Sequence, residues 1–222
     1  MNSLYAAQRL GGFGFAQPAG RAARAAAATP LKRPSQARSR FTVQAIYDAF
    51  VRIWRRDGFG RLTTRAVALE TGISVGTLYE YFPNKQALLS GYVRHAIEAL
   101  LAAIDREVTR APQLPARERL ERLVALVCGA RSQDLPPFDA DMLSLEHQIA
   151  EPRHHRRAYE ELLAAWRGAL SACGIAASPE RAEALFIAAW GGRRYRLLLQ
   201  PAPLPEDAWV AELQRTCVLA LL

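Results

Sequence analysis

From residue 42 onward, apolar side chains return every three or four positions through almost the whole chain. In TVQAIYDAFVRIWRRDGF, Ile46, Ala49, Phe50, Ile53 and Trp54 share one helical face, and Gly58 ends the run. TTRAVALETG reads as a short helix opened by a threonine cap and closed at Gly72. SVGTLYEYF follows almost at once and stops before Pro83, because a residue preceding proline is pushed out of the helical region. Asn84 then caps a long helix, about residues 85–110, striped by Leu88, Leu89, Tyr92, Val93, Ala96, Ile97, Leu100 and Ile104.

Beyond the prolines at 112 and 115 the same period predicts helices near 116–131, 139–150, 154–173 and 179–199, with a last one after Pro205. Ser178-Pro179-Glu180 is a start signal with a mechanism: a hydroxyl cap, a proline with no N–H to leave unpaired, and an acid beside the helix dipole. No segment alternates with the strand period and no internal repeat is visible. The pattern predicts an all-α chain of about nine helices.

The two short helices, 64–71 and 74–82, are joined by a tight turn containing glycine, the layout of a helix-turn-helix. The second carries a glycine in its first turn, a poor helix residue, and two tyrosines two positions apart, which cannot share a face. Rotating it by about 100° per residue puts Leu78 and Phe82 on the packed side. Gly76, Thr77 and Glu80 then face outward, with Tyr79 and Tyr81 on opposite flanks. This arrangement suits a duplex. Gly76 lets backbone approach a phosphate or base edge, and Ser74 and Thr77 offer small hydroxyls. Each phenol reaches one phosphate strand bordering the major groove, and Val75 either packs at the rim or touches a thymine methyl. Thr64 and Lys85 stand at helix N-termini, which favour phosphate.

Charge sharpens this picture. The formal net charge is +8, divided as +7 over residues 1–47, +2 over 48–92 and −1 over 93–222. A basic front and a neutral rear predict a polyanion-contacting end and a second domain with another task. Residues 1–40, rich in Gly, Ala, Pro and Arg, read as a disordered basic arm, although an Arg-rich, acid-free stretch is also the composition of a transit peptide. There is no apolar core of a secretory leader at the N-terminus. Nor does any uninterrupted apolar run approach the roughly 18 residues of a membrane span. Cys128, Cys173 and Cys217, odd in number and without a C-x-x-C pair, are expected as free thiols in the reducing cytoplasm.

The run TTRAVALETGISVGTLYEYFPNKQALL, with IYDAFVRIWRRDGF before it, resembles the DNA-binding signature of TetR-type transcriptional regulators. The likeness is dense over about residues 42–89. It rests on the paired threonines, the Gly72 turn, S-x-G-T-L-Y-x-Y-F and the lysine three places after Phe82; Thr71 departs from the family's usual alanine. The resemblance implies DNA contacts from Thr64, Ser74, Val75, Gly76, Thr77, Tyr79, Tyr81 and Lys85. It also implies a homodimer built on the last two helices and a regulatory domain that binds a small-molecule effector and resets the spacing of two reading heads. The expected organisation is an arm at 1–40, a three-helix helix-turn-helix domain at 41–89, and a C-terminal helical ligand-binding and dimerisation domain at 90–222. The expected function is that of a repressor released from a palindromic double-stranded DNA operator by an apolar or amphipathic effector. A rival reading keeps the fold but makes the chain a helical small-molecule or metal-binding protein with a vestigial reading head.

In the second domain Phe138, Met142, His147, Tyr159, Trp166, Phe186 and Trp190 are candidate pocket residues, although aromatic and sulfur side chains at helical spacing also make plain core. Glu146, His147, His154 and His155 form a cluster without metal-ligand spacing, interrupted by Pro152 and ringed by arginines, and no metal or cofactor is expected. Gly191-Gly192 inside a helical run predicts either close approach of a partner helix or a kink beside the pocket. Arg193, Arg194 and Arg196 then meet an anionic ligand, a partner's acids or solvent. No nucleophile elbow or phosphate loop is present, so no enzyme is expected.

Overall fold

The computed structural model describes residues 37–130, 135–199 and 205–222, so most of the predicted arm, residues 1–36, lies outside the described residues. Among these residues there are ten α-helices and no strand. Helix α1 (Ala37–Arg61) begins inside the stretch expected to be an arm and is broken at Gly58, whose φ of 71° suits a residue without a Cβ. Then come α2 (Thr64–Thr71), α3 (Val75–Tyr81) and α4 (Lys85–Ile104), which continues into one π-helical turn, Asp105–Thr109. The remainder comprises α5 (Ala116–Cys128), α6 (Ala140–Ser144), α7 (Glu146–Ile149), α8 (Pro152–Ala172), α9 (Pro179–Leu198) and α10 (Glu206–Leu221).

Most boundaries follow the expected caps. Thr63, Ser74, Asn84 and Ser178 each accept a hydrogen bond from a backbone N–H in the first turn of their helix. Two boundaries differ. The single helix expected at 139–150 is two short pieces separated by a turn at Leu145 (φ −89°, ψ −5°). Helix α8 starts at Pro152 rather than interrupting there. Proline is the first helical residue, and Glu151 and His154 form a reciprocal capping box around it.

Two hydrophobic cores share α4. Its first half gives Leu88, Leu89 and Tyr92 to a core with Ile46, Phe50, Ile53, Leu62, Val67, Leu78 and Phe82. Its second half gives Leu100, Ala103 and Ile104 to a core with Leu120, Leu123, Trp166, Leu170 and Phe186. By length and composition the run Lys85–Thr109 is apolar enough to cross a bilayer, and packing into two cores accounts for that apolarity.

The first core is completed by side chains from far along the chain. Met142 and Ile149, from α6 and α7, are buried in it. Asp139 Oδ2 accepts from Trp54 Nε1 (2.8 Å), and the Pro137 carbonyl accepts from the Tyr92 hydroxyl (2.7 Å). Residues 137–149 thus form a strap across the reading head, and Glu146 anchors its far end to α9 through a two-point ion pair with Arg194 (3.0 and 2.5 Å).

Of the two readings of the double glycine, the kink is not seen, since α9 runs through it. A Cβ on Gly192 would stand 2.7 Å from the indole of Trp209, so this glycine makes room for α10 of the same chain. The three cysteines are free. Cys128 and Cys217 are buried, which pushes their thiols up to about 12 and about 11, while Cys173 is half-buried.

Candidate nucleic-acid interface and ligand cavity

Helices α2 and α3 are held at their turn by Gly72, which is left-handed (φ 76°), and by Ile73, whose N–H reaches the Ala68 carbonyl at 3.0 Å. Leu78 and Phe82 anchor α3 in the head core, as expected. Ser74, Val75, Gly76 and Tyr79 are exposed, Thr77 is half-buried, and a Cβ on Gly76 would meet only Ser74 Oγ, at 3.7 Å. The helix edge at Gly76 is therefore open.

The hydroxyls are organised rather than loose. Ser74 Oγ accepts the Thr77 N–H at 3.0 Å and pairs with Thr77 Oγ1 at 2.9 Å, so the serine caps the helix it belongs to. Tyr79 and Thr64 pair through their hydroxyls at 3.1 Å, joining the start of α2 to the exposed flank of α3. Lys85 Nζ donates to the Phe59 carbonyl at 3.0 Å and lies 4.4 Å from the Phe59 ring centroid, which fixes the ammonium beside the end of α1. Tyr81 corrects the expected symmetry. Its ring is buried and packs on Phe82 with centroids 6.4 Å apart, whereas the Tyr79 side chain is 45% exposed. The neighbouring elements reach around that flank of α3, and the head core claims the second phenol.

Between the head and the rear helices lies a cavity of about 1040 Å³. Of the seven predicted pocket residues it is lined by Phe138, Tyr159 and Trp190. The other four lie elsewhere. Met142 is in the head core; Trp166 and Phe186 pack together beneath Tyr159, with centroids 6.1 Å apart; and His147 is exposed, its Nδ1 2.7 Å from the Ser144 carbonyl. Periodicity marked these residues as apolar-facing but could not say which of two cores each would enter. The sequence reading missed the wall supplied by α1 (Val43, Gln44 and Tyr47) and by the α4 face of Val93, His95, Ile97 and Leu100. The α4 stripe was visible as a stripe, without a sign that part of it faces a void.

His95 stacks on Tyr47 across this wall (centroids 4.9 Å, planes 26° apart). Burial holds its imidazole below the ordinary range, against the opposing pull of Glu98 and Asp48. The unfolded chain takes up this proton at about pH 6.5 and the folded chain only at lower pH. Stability from neutral His95 is therefore full above that value and lost as pH falls through the folded pKa. Melting temperatures at pH 7.5 and 5.5 are expected to differ less for His95→Gln than for the parent chain.

The Glu146, His147, His154 and His155 group is dispersed into other contacts: Glu146 to Arg194, His154 Nδ1 to the Glu151 N–H at 3.1 Å, and His147 to Ser144. Among the described residues no group of three or more His, Cys, Asp or Glu is placed to hold a metal ion.

A three-helix head whose third helix has an open edge, joined to rear helices with a cavity between them, is a helix-turn-helix fold. The family described as bacterial regulatory proteins, tetR family, matches residues 46–91, the stretch from within α1 to the first turns of α4. A nucleoid occlusion factor SlmA from Marinomonas sp. (strain MWYL1) is 35% identical over 74 residues, 33% of this chain and 36% of that protein. The transcriptional repressor KstR from Rhodococcus jostii (strain RHA1) is 36% identical over 78 residues, 35% of this chain and 34% of KstR. The chain thus matches only about a third of the length of these relatives.

Solved structures extend the likeness of fold to the rear domain. A TetR-family regulator from Mesorhizobium loti MAFF303099 superposes with a TM-score of 0.59 at 16% identity, covering 83% of this chain and 97% of its own. FadR from Bacillus subtilis, solved in complex with stearoyl-CoA, superposes with a TM-score of 0.56 at 14% identity, covering 81% and 99%.

Proposed function

We propose that this protein is a dimeric transcriptional repressor that binds a palindromic DNA operator through α3 and leaves it when a small molecule enters the cavity. The observation that carries this reading is the cavity wall. Val43, Gln44 and Tyr47 of α1 line the same space as α4, α8 and α9. An occupant therefore touches the first helix of the reading head directly and must bias its position if it prefers one arrangement of the wall over another. The FadR complex supports it by analogy, as a related fold holding a small molecule.

Thr64, Ser74, Val75, Gly76, Thr77, Tyr79, Tyr81 and Lys85 are the proposed DNA-contacting residues, with Tyr81 contributing mainly by seating α3 and the basic segment 1–40 adding phosphate attraction. Exposed apolar side chains on α9 and α10, among them Ile187, Tyr195, Leu198 and Leu219, support pairing of two copies through the last two helices. Two heads so paired read successive major grooves, hence the palindrome.

The test is fluorescence anisotropy of the full chain on DNA from upstream of its own gene. Tyr79→Ala removes the exposed phenol and its bond to Thr64, and it is expected to weaken binding about tenfold, or about 1.4 kcal/mol. Unchanged affinity, or no preference over unrelated duplex, would favour the rival reading of a vestigial head.

A further inference from the structure

Helix α3 is poor in the side chains that usually read base edges. Between Val75 and Tyr81 it has no arginine, lysine, asparagine, glutamine or histidine. It therefore lacks both the guanidinium fork that reads guanine and the side-chain amide that reads adenine. Its one charged group, Glu80, is of the type that accepts from a cytosine amine, but it is already engaged within the chain.

The hydroxyls of this edge are also committed. Ser74 Oγ accepts the Thr77 N–H at 3.0 Å and shares a bond with Thr77 Oγ1 at 2.9 Å, and Tyr79 shares one with Thr64 at 3.1 Å. Each hydroxyl pair keeps one proton to offer a duplex. That suffices for a phosphate contact but not for a two-point match to a base. Arg65 is exposed, yet it belongs to the start of α2, the helix that crosses the backbone in this motif rather than lying in the groove.

Val75 is what remains. It is the first residue of α3, in the turn that meets base edges in a helix-turn-helix. Its side chain is 37% exposed and belongs to neither hydrophobic core, so it does not pack at the rim. Gly76 beside it adds no Cβ to the approach. A β-branched side chain is held to few rotamers, so little freedom is lost when it is clamped. The apolar feature that a base pair presents in the major groove is the C5 methyl of thymine.

Resting on the DNA-binding reading above, we propose that Val75 is the specificity-determining residue of α3 and that it recognises the C5 methyl of a thymine. Each half-site then requires a thymine, on a fixed strand, beneath the first turn of α3.

The experiment starts from duplexes that the full chain enriches from a random-sequence library. Each thymine of an enriched half-site is replaced in turn by deoxyuridine, which deletes the C5 methyl and leaves base pairing intact, and affinity is read by anisotropy. At one thymine the replacement is expected to cost about fourfold in a single half-site, the worth of about one buried methyl, and roughly fifteenfold in both. Val75→Ala removes the two valine methyls at an exposed helical position and keeps the fold, which thermal melting checks. On this variant the same replacement should cost less than about twofold. Enriched half-sites with no fixed thymine, a deoxyuridine scan that is flat at every position, or a sensitivity that Val75→Ala leaves intact would overturn the proposal while the DNA-binding reading stands. Enrichment of no sequence at all overturns both.

Discussion

Gly76→Val is expected to lower operator affinity by more than tenfold while the chain stays folded. In the free protein the added side chain has room, because the new Cβ meets only Ser74 Oγ at an ordinary contact distance of 3.7 Å and the backbone is helical. Replacing a helical glycine even favours folding, by about 1 kcal/mol for alanine and somewhat less for β-branched valine. A loss of binding therefore cannot be ascribed to a damaged head. It reports volume placed where the duplex must come close. Gly76→Ala supplies the graded control, with a slightly higher melting temperature and a smaller loss of affinity. Anisotropy and thermal melting on the same samples separate the two effects, and parent-like affinity for the valine variant would remove the glycine edge from the interface.

Glu146→Ala is expected to cost about 3 kcal/mol of stability, the lower end of the range for breaking a buried ion pair, because the Arg194 side chain keeps 30% of its exposure. The change leaves Arg194 facing the cavity without its carboxylate and unties the strap from α9. Denaturant titration measures the loss. Replacing both partners by leucine should recover most of it, since two apolar groups of similar volume leave no stranded charge. If Glu146→Ala alone proves neutral, the strap is held by its Trp54–Asp139 and Tyr92–Pro137 bonds and the ion pair is incidental.

The head was legible because its signals are local. A serine before a helix, a glycine after one and a proline just past another act over three or four residues, and each was found where its chemistry put it. The burial of Tyr81 was not legible, since a helical wheel gives an angle but not how far a neighbouring element reaches around it. Met142 fails for a related reason. Its period marks it as buried, yet it is buried in a core built mostly from residues about fifty to a hundred positions earlier. The arginines after the double glycine show both outcomes. Their possible partners could be enumerated from the sequence, but only coordinates assign Arg194 to Glu146, place Arg196 over the Trp209 ring at 4.9 Å, and set Arg193 against Gly129.

The strap has a consequence for anyone wishing to study the DNA reader in isolation. A fragment ending near residue 90 would contain every helix of the motif, yet the sites filled by Met142 and Ile149 would open to solvent and Trp54 would lose the carboxylate its indole donates to. Excised in this way, the motif is expected to unfold at a lower denaturant concentration than a piece reaching past Ile149.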